Sequence, residues 1–153
     1  HTWFECKIRY EKTMENGMNK KVTEPYLVDA LSFTEAEARI IEEMTPFITG
    51  EFIVSDIKRA NYSELFPSDE EAADRWFKCK LVFITLDEKS GAEKKTSTQV
   101  LVQAADLRDA VKKLDEGMKG TMADYQIASV AETAIMDVYP FSAEKDDKPE
   151  VQS

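Results

Sequence analysis

A short segment that occurs twice constrains the fold of this chain more than any other feature. Residues 3–10 read Trp-Phe-Glu-Cys-Lys-Ile-Arg-Tyr, and residues 76–83 read Trp-Phe-Lys-Cys-Lys-Leu-Val-Phe. The two segments contain both tryptophans and both cysteines of the chain. Because these residue types are rare, their agreement at one spacing indicates an internal duplication.

The similarity continues after a slip of one residue, which a hairpin loop of different length would cause. Residues 27–30 match residues 101–104, Ser55 and Ala60 match Ser129 and Ala134, and each copy closes on an aromatic-proline pair, Phe66-Pro67 and Tyr139-Pro140. We therefore predict one domain over residues 1–141, made of two repeats at about 3–67 and 76–141. An acidic linker at 67–75 joins them, and residues 142–153, charged and without periodicity, are predicted to be a disordered tail.

Each repeat predicts two strands, a helix and a third strand. Apolar and polar residues alternate along 4–10 and 77–83, which is the period of a half-buried strand. Asn16-Gly17 and Gly91 supply hairpin turns, and 22–31 and 96–104 return as second strands. The third strands are predicted at 51–61 and 125–138. The latter is apolar or small on both faces, which is typical of a strand at the centre of a sheet.

Helix signals follow the second strand of each repeat. The first helix is predicted to begin near Ser32 or Thr34, since Glu35 and Glu37 complete capping boxes with them. The second begins at Asp106 and ends at Gly117 and Gly120. The predicted fold class is α+β: two tandem ββαβ repeats with pseudo-twofold symmetry, about six mostly antiparallel strands and two helices on one face. The other sheet face would be solvated, closed into a barrel or covered by another chain.

The composition limits the class of protein. The chain has 153 residues and a net charge of −10, which disfavours binding to a phosphate backbone. Two cysteines are too few for a disulfide scaffold, and no apolar run is long enough to span a membrane. Because the N-terminal residues also lack the pattern of a signal peptide, we expect a cytoplasmic protein without a membrane partner.

The tandem Trp-Phe-x-Cys-Lys segments, with the run Arg75-Trp76-Phe77-Lys78-Cys79-Lys80-Leu81-Val82-Phe83-Ile84-Thr85, resemble an uncharacterised domain-of-unknown-function family of Bacteroidota from the gut. The resemblance covers residues 3–141. It implies a short bacterial cytoplasmic protein and brings no assigned activity, so no catalytic residue is carried over.

The candidate site is a face of the predicted sheet on which two tryptophans lie beside lysines. This predicted interaction face consists of Trp3, Glu5, Lys7, Trp76, Lys78 and Lys80. Tryptophan anchors protein interfaces, which favours a homodimer or another protein partner. The same residues could stack the bases of a nucleic acid or nucleotide, and the two tryptophans could also be purely structural.

No pattern of catalytic residues was found. Cys6 and Cys79 are predicted core residues. Because His1 is the single histidine, a Cys/His metal cluster would lack ligands, and a catalytic triad would have to use His1 as its base. No glycine-rich phosphate loop occurs. We therefore expect no enzyme, no cofactor and no metal. The preferred hypothesis is an intracellular interaction or regulatory module that self-associates through the open sheet face. The alternatives are a nucleic-acid or nucleotide-binding module and a small-ligand sensor.

Overall fold

The computed structural model of the protein describes residues 2–141, so the predicted disordered tail and His1 lie outside the described residues. The described chain is α+β with eight strands and two helices, in which two ββαβ repeats are evident and confirm the predicted class. The elements are β1 (Thr2–Thr13), β2 (Asn19–Ala30), α1 (Phe33–Met44), β3 (Phe52–Ala60), β4 (Glu64–Phe66), β5 (Arg75–Leu86), β6 (Glu93–Ala104), α2 (Leu107–Gly117), β7 (Asp124–Glu132) and β8 (Val138–Tyr139).

The strands form two four-stranded sheets, in the orders β3-β1-β2-β8 and β4-β6-β5-β7. Each sheet carries one helix, α1 on the first and α2 on the second. The short strands β4 and β8 are parallel to their neighbours, whereas the other pairs are antiparallel. The strand count exceeds the expected six because these two short strands were not predicted.

The short strands are exchanged between the repeats. β4 follows β3 in the first repeat but pairs with β6 of the second, and β8 follows β7 but pairs with β2 of the first. As a result, the described chain divides into two compact units whose boundaries differ from those of the repeats. Unit 1 contains residues 2–60 and 135–141, and unit 2 contains residues 61–134.

Each unit has its own apolar core between the sheet and its helix. The largest core residues occupy the same positions in both units, because the alternating residues of β1 and β5 point toward α1 and α2. The buried residues that form the core of unit 1 between sheet and helix are Phe4, Cys6, Ile8, Val28, Ala30, Ala36, Ile40 and Met44. The corresponding core residues of unit 2 are Phe77, Cys79, Leu81, Val100, Val102, Ala104, Ala110 and Leu114.

Both helices begin with the same cap. Ser32 Oγ accepts the Glu35 amide at 3.1 Å, and Asp106 Oδ1 accepts the Asp109 amide at 2.8 Å. The carboxylates of Glu35 and Asp109 in turn accept the amides of Leu31 and Ala105. The N-cap of the first helix is therefore Ser32, not Thr34, and the helix begins at Phe33.

The strand register corrects one part of the repeat alignment. Lys7 lies opposite Asp56, and the equivalent Lys80 lies opposite Ser129. Asp56, not Ser55, is therefore the counterpart of Ser129. The hairpin loop of the second repeat is one residue longer than that of the first, and its connection from the helix to the third strand is one residue shorter. The two third strands are therefore separated along the chain by the same number of residues as the two first strands.

The prediction that the last long strand is central is wrong. β7 ends at Glu132 and occupies the edge of its sheet, where most of its residues are exposed. The residues after it leave the sheet and lead to β8 in unit 1. Across the described part of the chain, neither helix has the length and apolar character needed to cross a membrane.

Candidate functional site

The six residues of the predicted interaction face lie on β1 and β5, on the sheet faces turned away from the helices. In unit 1, Trp3, Glu5 and Lys7 share one strand and are half-buried. Glu5 Oε2 lies 3.8 Å from Lys58 Nζ. Their role in binding stays a prediction.

In unit 2 the lysines of that face are exposed but the tryptophan is not. Lys78 and Lys80 are open to solvent, whereas only 4% of Trp76 is exposed. The Trp76 carbonyl also accepts bonds from the amide and the hydroxyl of Thr133, each at 2.9 Å. Because base stacking requires an open ring face, Trp76 in this position offers little surface to a nucleobase.

Both cysteine thiols are buried in the cores of their units. Burial, with a smaller contribution from the charges of Glu5, Asp56 and Glu37, raises the pKa of Cys6 to about 12. Burial alone raises the pKa of Cys79 to about 11. Since the thiolate is the reactive form, neither cysteine is suited to nucleophilic or redox chemistry near neutral pH.

Two groups of aromatic and arginine side chains lie in unit 1 near the start of α1, one made by Phe33 and Arg59 and the other by Phe141 and Arg39. Together with Leu31 we call them the aromatic corner, which consists of Leu31, Phe33, Arg39, Arg59 and Phe141. The exposed fractions of its three apolar side chains are 66% for Leu31, 46% for Phe33 and 38% for Phe141. All five residues belong to unit 1.

Packing fixes Phe33 at this corner. The capping box positions it as the first residue of α1. Its ring meets the buried ring of Phe4 edge to face, with centroids 4.9 Å apart. The guanidinium carbon of Arg59 lies 5.5 Å from the Phe33 centroid and 5.9 Å from that of Phe4, within the range of a cation–π contact.

Arg39 fixes Phe141 in a similar way. Its guanidinium donates hydrogen bonds to the carbonyls of Asp29 and Pro140, and its central carbon lies 5.9 Å from the Phe141 centroid. The Phe141 amide donates to Asp29 Oδ2 at 3.4 Å. Burial raises the pKa of Asp29, although the Phe141 amide and the charge of Arg39 act in the opposite direction.

The second repeat has the same backbone at the corresponding place without this surface. The counterparts of Leu31, Phe33, Arg39, Arg59 and Phe141 are Ala105, Leu107, Lys113, Glu132 and Ser68. The aromatic rings and both guanidinium groups are thus specific to the first repeat. Since both repeats form the same elements, the fold itself does not require the aromatic corner.

A serine and a lysine in unit 2 are close enough to suggest a catalytic dyad. Lys113 Nζ donates to Ser68 Oγ at 3.2 Å, but it also lies 2.9 Å from Asp109 Oδ2 and 3.1 Å from Glu70 Oε1. Burial lowers the pKa of Lys113, but the bonds to the two carboxylates outweigh this effect and raise it. A lysine that holds its proton cannot activate a serine as a general base.

A second polar cluster, in unit 1, joins two tyrosines to a carboxylate. Tyr10 and Tyr26 donate to Glu24 Oε1 at 2.8 and 3.4 Å, and Lys12 Nζ lies 3.6 Å from Glu24 Oε2. Burial, followed by the interaction with Glu24, raises the pKa of both phenols, that of Tyr10 to about 12. Both therefore remain protonated donors near neutral pH, and the cluster binds the two strands of the hairpin together.

The aromatic corner was missed by sequence reasoning, which emphasised what the repeats share. Phe33, Arg39, Arg59 and Phe141 are instead positions at which the repeats differ. That difference was visible in the sequence, but only the strand register shows that Arg59 corresponds to Glu132 and Phe141 to Ser68.

Comparison with known proteins identifies a family but no activity. No curated protein matches the chain. The family model described as a domain of unknown function, DUF4494, matches residues 2–141. The prediction of an uncharacterised family is thereby confirmed at the level of the family. Because the match spans nearly the whole sequence, the chain belongs to the DUF4494 family of domains of unknown function.

Proposed function

We propose that this protein is a non-enzymatic interaction module of the cytoplasm that binds a protein partner through the aromatic corner. The observation that carries the proposal is the exposure of Leu31, Phe33 and Phe141 beside two arginines, in one repeat only. Aromatic and arginine side chains are enriched at the centres of protein interfaces. The two buried cysteines, which form no disulfide, support a reducing compartment.

The fixed geometry of the corner supports binding. Phe33 is held by Phe4, Arg59 and the helix cap, and Phe141 is held by Arg39 and Asp29. A side chain that is already ordered loses little conformational entropy when a partner covers it. The corner therefore presents two rigid apolar anchors with polar groups around them, as in a binding hot spot.

The alternative of nucleic-acid binding has less support. It relied on Trp3 and Trp76 as stacking platforms, and Trp76 is buried. The net charge of −10 also repels a polyanion. The small-ligand alternative has a cavity of about 680 Å³ in unit 1, lined in part by Arg9, Lys21 and Glu51, but these side chains are solvent-exposed. A typical ligand site buries most of its ligand against apolar walls.

Site-specific photo-crosslinking tests the proposal with a matched control. A benzophenone amino acid is placed at position 33 and, in a second variant, at position 107, which is the equivalent helix start of the other repeat and is also exposed. In the native host cell, we expect a discrete protein adduct from position 33 and none from position 107. The same adducts from both positions, or none from either, would contradict the proposal.

A further inference from the structure

The edge strand β7 has an unusual combination of position and sequence. It spans nine residues, Asp124–Glu132, and pairs only with β5 among the described strands. One row of backbone amides and carbonyls on an edge strand faces away from the sheet and is available to another strand. Proteins normally protect such an edge with charged residues, prolines or a covering segment.

The two equivalent edge strands both contain a β-bulge, opposite Lys7/Ile8 in unit 1 and opposite Lys80/Leu81 in unit 2, but they differ in charge. β3 carries Asp56, Lys58 and Arg59, the first two of which are replaced by Ser129 and Ala131 in β7. The six residues of β7 from 126 to 131, Gln-Ile-Ala-Ser-Val-Ala, carry no charge. Because β3 and β7 occupy equivalent places in equivalent sheets, the fold tolerates charges there. Their absence from β7 has another cause.

The side chains of β7 point to the same conclusion. Small or apolar residues occupy both faces of the strand, which is the pattern of a strand with neighbours on both sides. Yet Ile127 is 37% exposed, and Ala128, Ser129 and Ala131 are also open to solvent. The sequence is thus that of a central strand, while the single chain leaves it at an edge.

We propose that β7 pairs antiparallel with β7 of a second copy of this chain, so that two four-stranded sheets become one sheet of eight strands. An antiparallel edge is self-complementary about a twofold axis, so a second copy supplies the matching strand without a new surface. Two copies of a chain with a net charge of −10 repel each other. The electrostatic free energy of bringing them together is lowest at a surface segment that carries no negative charge. The uncharged segment 126–131, beside the exposed Lys78 and Lys80 of β5, meets this condition.

The proposal is tested by placing charges on β7 at positions where the monomer can accommodate them. Ser129 lies opposite Lys80 and Ala131 opposite Lys78, so Ser129→Asp and Ala131→Glu each gain an attractive neighbour within the fold. In a twofold pair both charges are duplicated next to a strand that carries the same charges. By sedimentation velocity, we expect the wild type to dimerise and the double variant to show a dissociation constant at least about tenfold higher.

The control adds the same charges away from the edge. Thr85→Glu and Ser97→Asp lie at exposed positions of the β5–β6 hairpin and should leave the dimer intact. Hydrogen exchange supplies a readout without any substitution: amides at 126–131 should become better protected as protein concentration rises, while those of β3 do not change.

A monomeric wild type at all concentrations would overturn the proposal, as would a dimer that the β7 charges leave unchanged. Concentration-dependent protection at the aromatic corner instead of β7 would also overturn it and would assign self-association to that surface. The proposal is independent of the aromatic corner as a partner-binding site, because a monomer could still give the position-33 adduct.

Discussion

Asp29 and Gln103 occupy the same position in the two repeats, and each accepts the amide of the residue after an aromatic-proline pair. Asp29 Oδ2 accepts from Phe141 at 3.4 Å, and Gln103 Oε1 accepts from Ser68 at 2.9 Å. The neutral side-chain amide of Gln103 therefore accepts the same hydrogen bond in the second repeat that the carboxylate of Asp29 accepts in the first. The difference matters because burial raises the pKa of Asp29, which means that the folded state favours its protonated form.

Replacing Asp29 by asparagine should stabilise the protein near neutral pH. When folding raises the pKa of an acid, the ionised acid lowers the free energy of unfolding at every pH above its folded-state pKa. This cost decreases as pH falls through the folded-state pKa, and it is absent below the pKa of the unfolded state. We therefore expect Asp29→Asn to raise the free energy of unfolding at pH 7 and to lose this advantage in acid. Urea denaturation at several pH values measures the difference. Gln103→Glu is the matched control, and it should lower stability at pH 7 if the argument holds.

The two thiols should be unreactive in the folded protein. With pKa values of about 12 for Cys6 and about 11 for Cys79, almost no thiolate exists at pH 8, and burial also blocks access. We expect labelling by Ellman's reagent to be at least about a hundredfold slower in buffer than in denaturant. Fast labelling of either cysteine in the native protein would show that it is accessible and would reopen a reactive role.

At the scale of the elements, the sequence predicted correctly those features that depend on interactions between neighbouring residues. The alternation in β1 and β5, the turn at Gly17 and the caps at Ser32 and Asp106 each depend on neighbouring residues. β4 and β8 were missed because strands of three and two residues show no period. β7 was placed wrongly because small and apolar residues on both faces do not specify the order of the strands, and these residues are mostly exposed at the edge of the sheet. The aromatic corner escaped notice because only the exchanged strand β8 brings Phe141 into unit 1, where it contacts Arg39.

Gly117 lets α2 and β4 approach each other. A Cβ atom added there would lie 2.9 Å from the ring of Phe66, which packs against the core of unit 2. Gly→Ala within a helix normally adds about 1 kcal/mol of stability, but overpacking typically costs about 1–3 kcal/mol. We expect Gly117→Ala to destabilise the wild type and to stabilise the Phe66→Ala variant. Thermal denaturation of the four proteins measures this reversal of sign, and stabilisation in both backgrounds would contradict the close contact.

At the scale of the whole molecule, exchange of the short strands makes each unit depend on both repeats. Unit 1 is completed by Tyr139, which stacks on Tyr26 with centroids 6.2 Å apart, and unit 2 is completed by Phe66. Arg39 and Lys113 then bind the chain just after each exchanged strand, at Pro140 and at Ser68. The chain is therefore not two independent ββαβ domains in series, because neither repeat contains all the strands of its own sheet.

Cutting the chain between the repeats should therefore give fragments that need each other. We expect residues 1–69 and 70–153, expressed separately, to fold poorly because the first lacks β8 and the second lacks β4. Mixed together they should form a 1:1 complex with the circular dichroism of the intact protein, measurable by titration calorimetry. Tyr139→Ala in one fragment and Phe66→Ala in the other should each weaken this association, because each ring packs against the core of the unit that it completes; since both rings are only partly buried, the effect should be smaller than the about 3–5 kcal/mol of a fully buried aromatic side chain. Two fragments that fold fully and do not associate would show that the exchanged strands are dispensable, and the repeats would then behave as separate domains.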